Sequence, residues 1–180
     1  MKNKFGFILV KPQLGENIGA CARSLKNFGF SKLHIVSPKQ SWPNNKAKAT
    51  SVGAYNVIKR AKIYNNTYDA ISDFNIVISL SARKRDINKK HISINQFLKI
   101  IKSKKNTKFG LMFGPEASGL SNDDLSLSNF VLQIPTSKRF KSLNLSSFCF
   151  KELPGILHII NIKPSTLNSP YLVTLETLVA

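Results

Sequence analysis

The chain alternates short, continuous apolar runs with segments of helical spacing. Phe5–Val10, Leu33–Val36, Ile76–Leu80, Phe109–Phe113 and Phe130–Ile134 are apolar stretches of strand length. Val57–Tyr64 reads as a further short strand. Between the runs the period changes. Ile18, Cys21, Ala22, Leu25 and Phe28 recur at helical spacing and predict a helix over Ile18–Phe28. Asn17 stands in its N-cap position and Gly29 in its C′ position. Lys46–Val52 predicts a short helix, and Asp69–Phe74 completes another that starts near Thr67. Ser93–Ser103 predicts an amphipathic helix with Phe97, Leu98 and Ile101 on one side, and Asn122–Leu127 predicts the last. Pro38–Asn45 is a loop holding Trp42.

Continuous rather than alternating apolar strands belong to sheets buried on both faces. Their alternation with helices predicts an α/β fold, a mostly parallel sheet flanked by helices. Ligands of such sheets bind outside the carboxyl ends of the strands. Three predicted ends carry Leu80-Ser81-Ala82, Gly114-Pro115-Glu116 and Ile134-Pro135.

Composition narrows the class. At 180 residues the chain is expected to form one domain with a real core. No apolar run approaches the roughly 20 residues of a membrane-spanning helix. The first apolar run, of about six residues, is too short for a signal-peptide core. Cys21 and Cys149 lie far apart without CxxC spacing, which favours free thiols in a reducing cytoplasm.

Net charge is +18, from 27 Lys and Arg against 9 Asp and Glu. Such an excess attracts RNA, DNA or an anionic membrane. An AT-rich genome would explain abundant Lys, Asn and Ile, but not the scarcity of acidic residues. Nucleic acid therefore leads. His34, His91 and His158 are scattered without ligand spacing, so no metal is expected, and His34 reads as structural. GENIG does not match a GxGxxG dinucleotide fingerprint.

The richest chemistry lies in Ile134–Leu145, IPTSKRFKSLNL. Pro135 suits a strand end because it cannot donate to a ladder. Lys138, Arg139 and Lys141 put three cations in one loop, and Ser142 and Asn144 supply short donors and acceptors. The segment reads as a small-molecule site beside an anionic partner, or as a solvated surface loop.

Two further blocks, GENIGACAR ending at Arg23 and LMFGPEASGL over Leu111–Leu120, precede it. In this order the three blocks resemble the motifs of the SpoU family. That family lies within the SPOUT superfamily of S-adenosylmethionine-dependent RNA 2′-O-ribose methyltransferases. The resemblance spans Phe5–Leu145. SVGAYNVI at Ser51–Ile58 and SLSARKR at Ser79–Arg85 are similar to the branch acting on the tRNA anticodon loop.

The resemblance implies a SPOUT-type fold with a C-terminal trefoil knot whose loops hold a bent S-adenosylmethionine. It implies a homodimer acting on tRNA. It implies catalytic roles for Arg23, Asn17, Glu116, Ser142 and Asn144, with Arg23 contacting the phosphate beside the target nucleotide from the partner subunit. Leu80, Ser81, Ala82, Gly114, Ile134, Lys141, Ser142 and Leu143 match cofactor-lining positions, mostly through backbone groups. Leu80 departs from the small polar residue usual there. Arg83, Lys84, Arg85, Lys138 and Arg139 join Arg23 as expected RNA contacts. Methyl transfer to a ribose hydroxyl needs in-line approach and removal of one proton, so the protein mainly orients and deprotonates. Arg23 shares a helix face with Gly19 at i−4, and this glycine is expected to leave room for RNA backbone.

The resemblance divides the chain into a SPOUT domain, 1–145, and an atypical segment, 146–180. The family continues with a long alanine-rich helix that closes the knot and forms the dimer. Here Pro154 and Gly155 interrupt any helix, Pro164 and Pro170 punctuate the rest, and Ile156–Ile162 and Tyr171–Val179 show no helical face. A change of reading frame near Ser146 is the expected cause. Knot closure, dimerisation and cofactor affinity are expected to suffer. Three alternatives stay open: a ribosomal RNA substrate, a catalytically impaired RNA-binding homologue, and a nonspecific nucleic-acid binder.

Overall fold

The structure is a computed structural model and describes residues 2–81, 88–104 and 106–133. After a 3-10 turn at Lys2–Lys4, the strands are β1 (Phe5–Val10), β2 (Leu33–Val36), β3 (Lys62–Tyr64), β4 (Ile76–Ser81), β5 (His91–Ile92), β6 (Phe109–Phe113) and β7 (Phe130–Gln133). The helices are α1 (Gly15–Asn27), α2 (Asn45–Thr50), α3 (Tyr55–Lys59), α4 (Thr67–Ile71), α5 (Ile94–Ser103) and α6 (Asn122–Ser126). The strands form one sheet in the order β3-β2-β1-β6-β4-β7-β5, and every neighbouring pair is parallel. The α/β expectation holds.

The chain lays β2 and β3 outward on one side of β1 and then crosses to the other. There β6 inserts between β1 and β4, and β7 between β4 and β5. The strand order therefore reverses at β1, the position beyond whose carboxyl end sheets of this kind bind ligands.

The period-two alternation of strands sorts their side chains onto two faces. Phe5, Phe7, Leu9, Ile35, Ile78 and Leu111 join Ile18, Cys21, Ala22 and Leu25 of α1 and Phe97 and Leu98 of α5 in the larger core. Phe5 stacks on Phe109 with ring centroids 5.3 Å apart, and Phe30 meets Phe7 edge-on at 5.4 Å. The opposite face packs Ile8, Val10, Val36, Val77, Met112 and Val131 against Ala70 of α4 and Leu125 of α6. Phe74 lies over Gly110, where a Cβ would come within 2.9 Å of the ring. Each large apolar side chain buried in this way contributes about 1.5–3 kcal/mol.

Local capping explains most boundaries. Ser93 and Gln96 form a reciprocal capping box on α5, as do Ser121 and Asp124 on α6. α1 ends in a Schellman motif: Phe30 N–H donates to Leu25 C=O at 2.8 Å and Gly29 N–H to Lys26 C=O at 2.9 Å. Gly29 has φ +78°, the left-handed conformation expected of a C′ glycine.

Two expectations are corrected. Val57–Tyr64 is not one strand: Tyr55–Lys59 is helical, burying Val57 and Ile58, and only Lys62–Tyr64 joins the sheet. A five-residue helix is too short to display a period, and its β-branched pair imitates a strand. Asn17 is not the N-cap of α1, which starts at Gly15 with Leu14 as N-cap and no side-chain cap. No helix among the described residues is long and apolar enough to cross a membrane. The interrupted tail, 146–180, lies outside the described residues.

Candidate active site

An uncapped α1 leaves orphan N–H groups at its start. Gly15 N–H and the two N–H groups that precede it are satisfied from elsewhere in the chain. Glu116, in the loop after β6, accepts from Gln13 N–H at 2.7 Å, from Leu14 N–H at 3.2 Å and from the Asn17 side-chain amide at 2.8 Å. Gly15 N–H donates to the Gln40 side-chain oxygen at 3.0 Å. A carboxylate beside a helix N-terminus is favoured by the helix dipole as well. Glu116 is only 8% exposed, so its charge is held by these donors rather than by water.

The loop is folded tightly enough to aim Glu116 at the start of α1. Gly119 N–H donates to Pro115 C=O at 2.9 Å, and Gly119 takes φ +69°. The backbone of Gly119 and Leu120 packs into the space where a Gly114 side chain would stand. The sharp turn therefore needs Gly114 for close approach and Gly119 for conformation.

β4, β6 and β7 end side by side. Ser79 is level with Met112, and Leu80 and Ser81 are level with Leu132 and Gln133. Ser81 and Gly114 are half-buried at these ends. Leu80 is 7% exposed and packed in the larger core, so only its backbone is available to a ligand.

Arg23 lies six residues beyond Asn17 on α1, about 9 Å along the axis. It is exposed and is not a partner of Glu116. The role expected of Gly19 is corrected. α2 fills the space over it: a Cβ would come within 2.5 Å of Ala47 C=O and 2.9 Å of Ser51 N, and would collide with Thr50 Oγ1. The glycine admits a neighbouring helix of this chain, not RNA. Glu16, one residue before Asn17, is tied to Lys46 of α2 at 3.0 Å. Its carboxyl is held below the usual range, first by its own backbone N–H and then by Lys46.

His34 is structural, as expected. Its Nδ1 lies 2.8 Å from Ala70 C=O, so Nδ1 carries the proton and donates. The ring packs against Tyr64 and Phe74, and burial lowers its pKa.

The structure thus joins Asn17 with Glu116, puts Arg23 on the same helix, and sets Leu80, Ser81 and Gly114 at adjoining strand ends. Ala82, Arg83, Lys84, Arg85, Ile134, Lys138, Arg139, Lys141, Ser142, Leu143 and Asn144 lie outside the described residues. Sequence reasoning missed Gln13, Leu14 and Gln40. No local signal marks them, because their role is defined by partners 25 to 103 residues away.

A parallel sheet with a polar lock at its reversal point places the chain among the α/β proteins, a class whose ligands bind at the strand ends. The chain matches the SpoU rRNA Methylase family over residues 4–148, and it belongs to that family. It is 39% identical over 143 residues to the tRNA (cytidine-2'-O-)-methyltransferase TrmJ of Methanocaldococcus jannaschii, covering 77% of this chain and 61% of the relative. The crystal structure of TrmJ from Z. mobilis superposes with a TM-score of 0.78 at 33% identity, over 88% of this chain and 71% of that one. The SpoU methyltransferase AviRb from Streptomyces viridochromogenes, solved in complex with AdoMet, shares the fold at a TM-score of 0.65 and 16% identity, over 88% and 58%. The chain spans about three fifths of the length of the curated relatives it matches.

Proposed function

We infer that this chain is an S-adenosylmethionine-dependent methyltransferase that modifies a ribose 2′-hydroxyl in the anticodon loop of tRNA. One observation carries the reading. The Glu116–Asn17 lock stands at the reversal point of the sheet and joins two of the three motif blocks, with Arg23 on the helix it anchors. Family membership supports methyl transfer. The family description names rRNA, but relatives at 29–39% identity are named as tRNA 2′-O-methyltransferases, which favours tRNA.

The described residues fit a nucleoside-like cofactor held through backbone groups. Three strands deliver their ends to one place, Leu80 turns its side chain into the core, and Gly114 carries none. Ser81 and Gly114 would hold it from the described chain, with Ala82, Ile134, Lys141, Ser142 and Leu143 as the further expected contacts. When bound, the cofactor supplies an electrophilic methyl group. The chain's own task is orientation. Glu116 fixes the start of α1, and α1 sets the height at which Arg23 meets the phosphate beside the target ribose. The guanidinium presents a planar fork to that phosphate and positions the hydroxyl that must lose its proton.

The reading includes a cytoplasmic homodimer in which Arg23 serves the partner's site, and a trefoil knot closed by the chain beyond β7. The family match ends at residue 148, which supports a methyltransferase domain over 1–145 and a distinct segment over 146–180. The test is ribose-methylation mapping of unmodified tRNA incubated with the protein and S-adenosylmethionine. A single modified anticodon-loop ribose is expected. Modification of ribosomal RNA alone would replace the substrate, and no transfer to either would sink the reading.

A further inference from the structure

Between Glu16 and Asp69 the chain carries no acidic residue and nine Lys or Arg. This stretch contains α1, α2 and α3, and the corner joining α2 to α3 is unusually apolar for its exposure. Val52 is 64% exposed and Tyr55 44%. Gly53 between them has φ +73°, and a Cβ there would meet nothing within 4 Å. The Lys48 ammonium sits over the Tyr55 ring, 5.2 Å from its centroid.

The position of this corner relative to Arg23 follows from two contacts. Gly19 of α1 packs against α2. Lys26 of α1 donates to Gly53 C=O at 2.6 Å and to the Asn56 side-chain oxygen at 3.1 Å. Arg23 is four residues after Gly19 and three before Lys26, on the same helical stripe. It therefore emerges between the two points where α1 touches α2 and the corner.

We propose that the α2–α3 corner is a platform for an unpaired RNA nucleotide next to the one that Arg23 positions: the base stacks on Tyr55 and Val52, and Lys48 meets its phosphate. The proposal rests on the RNA-modifying reading of the Arg23 site. Charge complementarity selects the occupant. An aromatic ring with a cation beside it, in a basic stretch whose flanking Glu16 is already paired with Lys46, suits a base and its phosphate. An acidic partner protein would engage the cations but gain little from the ring, and a second copy of this chain would set like charges against each other. Stacking tolerates any base, so the corner adds affinity and register rather than sequence reading.

The test measures binding of the full chain, without cofactor, to a 15-nucleotide oligouridylate and to an unmodified tRNA transcript by fluorescence anisotropy. Tyr55→Ala is expected to weaken both by roughly 5- to 150-fold, with the salt dependence unchanged because no charge is removed. Tyr55→Trp, which keeps the stacking surface, is expected to retain affinity and rules out unfolding as the cause. Lys48→Ala is expected to lower the slope of log affinity against log salt by about 0.7, the value for one phosphate contact on a single strand. Unchanged affinity in Tyr55→Ala, or a loss of self-association in its place by sedimentation, would overturn the proposal. Methyl transfer by the parent protein is assayed separately. An inactive parent that binds through Tyr55 would refute the enzyme reading alone, and an active one indifferent to Tyr55 would refute only the platform.

Discussion

The side-chain amide of Asn17 donates to the Glu116 carboxylate at 2.8 Å across 99 residues of chain. The contact ties α1, which follows β1, to the loop that follows β6. Glu116 also accepts from the N–H groups of Gln13 and Leu14, just before the helix. A helix that carries the proposed phosphate-binding arginine is thereby anchored to a different part of the fold.

Glu116→Gln keeps the shape of this anchor and removes its charge. The amide offers one acceptor oxygen in place of two and turns its NH₂ toward existing donors. A stability loss of about 2 kcal/mol is expected in urea unfolding, within the range for hydrogen bonds to a charged group. Asn17→Ala is expected to cost about 1 kcal/mol. The two changes in one chain should cost less than their sum, because they break the same bond. Strict additivity would mean that the contact carries no energy.

Gly19→Ala separates the two readings of that glycine. An unobstructed helical glycine gains up to about 1 kcal/mol on replacement by alanine. Here the new methyl meets the backbone of Ala47 and Ser51, which cannot swing aside. A net loss of about 1–3 kcal/mol is expected from overpacking. A rise in melting temperature would show that α2 does not sit over α1 as described.

Arg23→Lys keeps the charge and loses the fork. Arg23 is exposed, so stability and cofactor binding should stay close to the parent's. Turnover on tRNA should fall by about 100-fold or more if the residue acts on the phosphate and the hydroxyl. Near-normal turnover would remove Arg23 from the site.

His34 predicts an acid-sensitive fold. Burial lowers its pKa below the ordinary value near 6.5, with the Ala70 carbonyl, Lys32, Asp73 and Lys62 as lesser influences. In this window the unfolded chain binds the proton more readily than the folded one. His34 therefore favours the folded state fully above about pH 6.5, and that stability is lost as pH falls toward its lowered folded value. Urea midpoints measured from pH 7 to pH 5 should decline. A His34→Gln variant should flatten the decline between pH 6.5 and 5; an unchanged slope would place the titrating group elsewhere.

Much of this architecture was legible from one dimension. Strands at Phe5–Val10, Leu33–Val36 and Phe109–Phe113 follow from continuous apolar runs, and α5 follows from Phe97, Leu98 and Ile101 standing on one side of a helix. Burial period and capping are properties of near neighbours, so the local pattern specifies them. Asn17 and Glu116 were also singled out as candidate site residues, through the motif blocks around them. What each does was decided elsewhere. Asn17 looked like a cap because Asn often is one, yet it lies inside a helix that has no side-chain cap, and its amide donates to a carboxylate 99 residues away. Gly19 looked like space for a ligand, yet α2 fills it. The sequence by itself determined most of the strands and helices and which residues are candidates for chemistry. Only the tertiary structure decided which strand lies beside which, and hence which distant donors, acceptors and helices meet, because those contacts depend on chain reversal at β1 rather than on spacing along it.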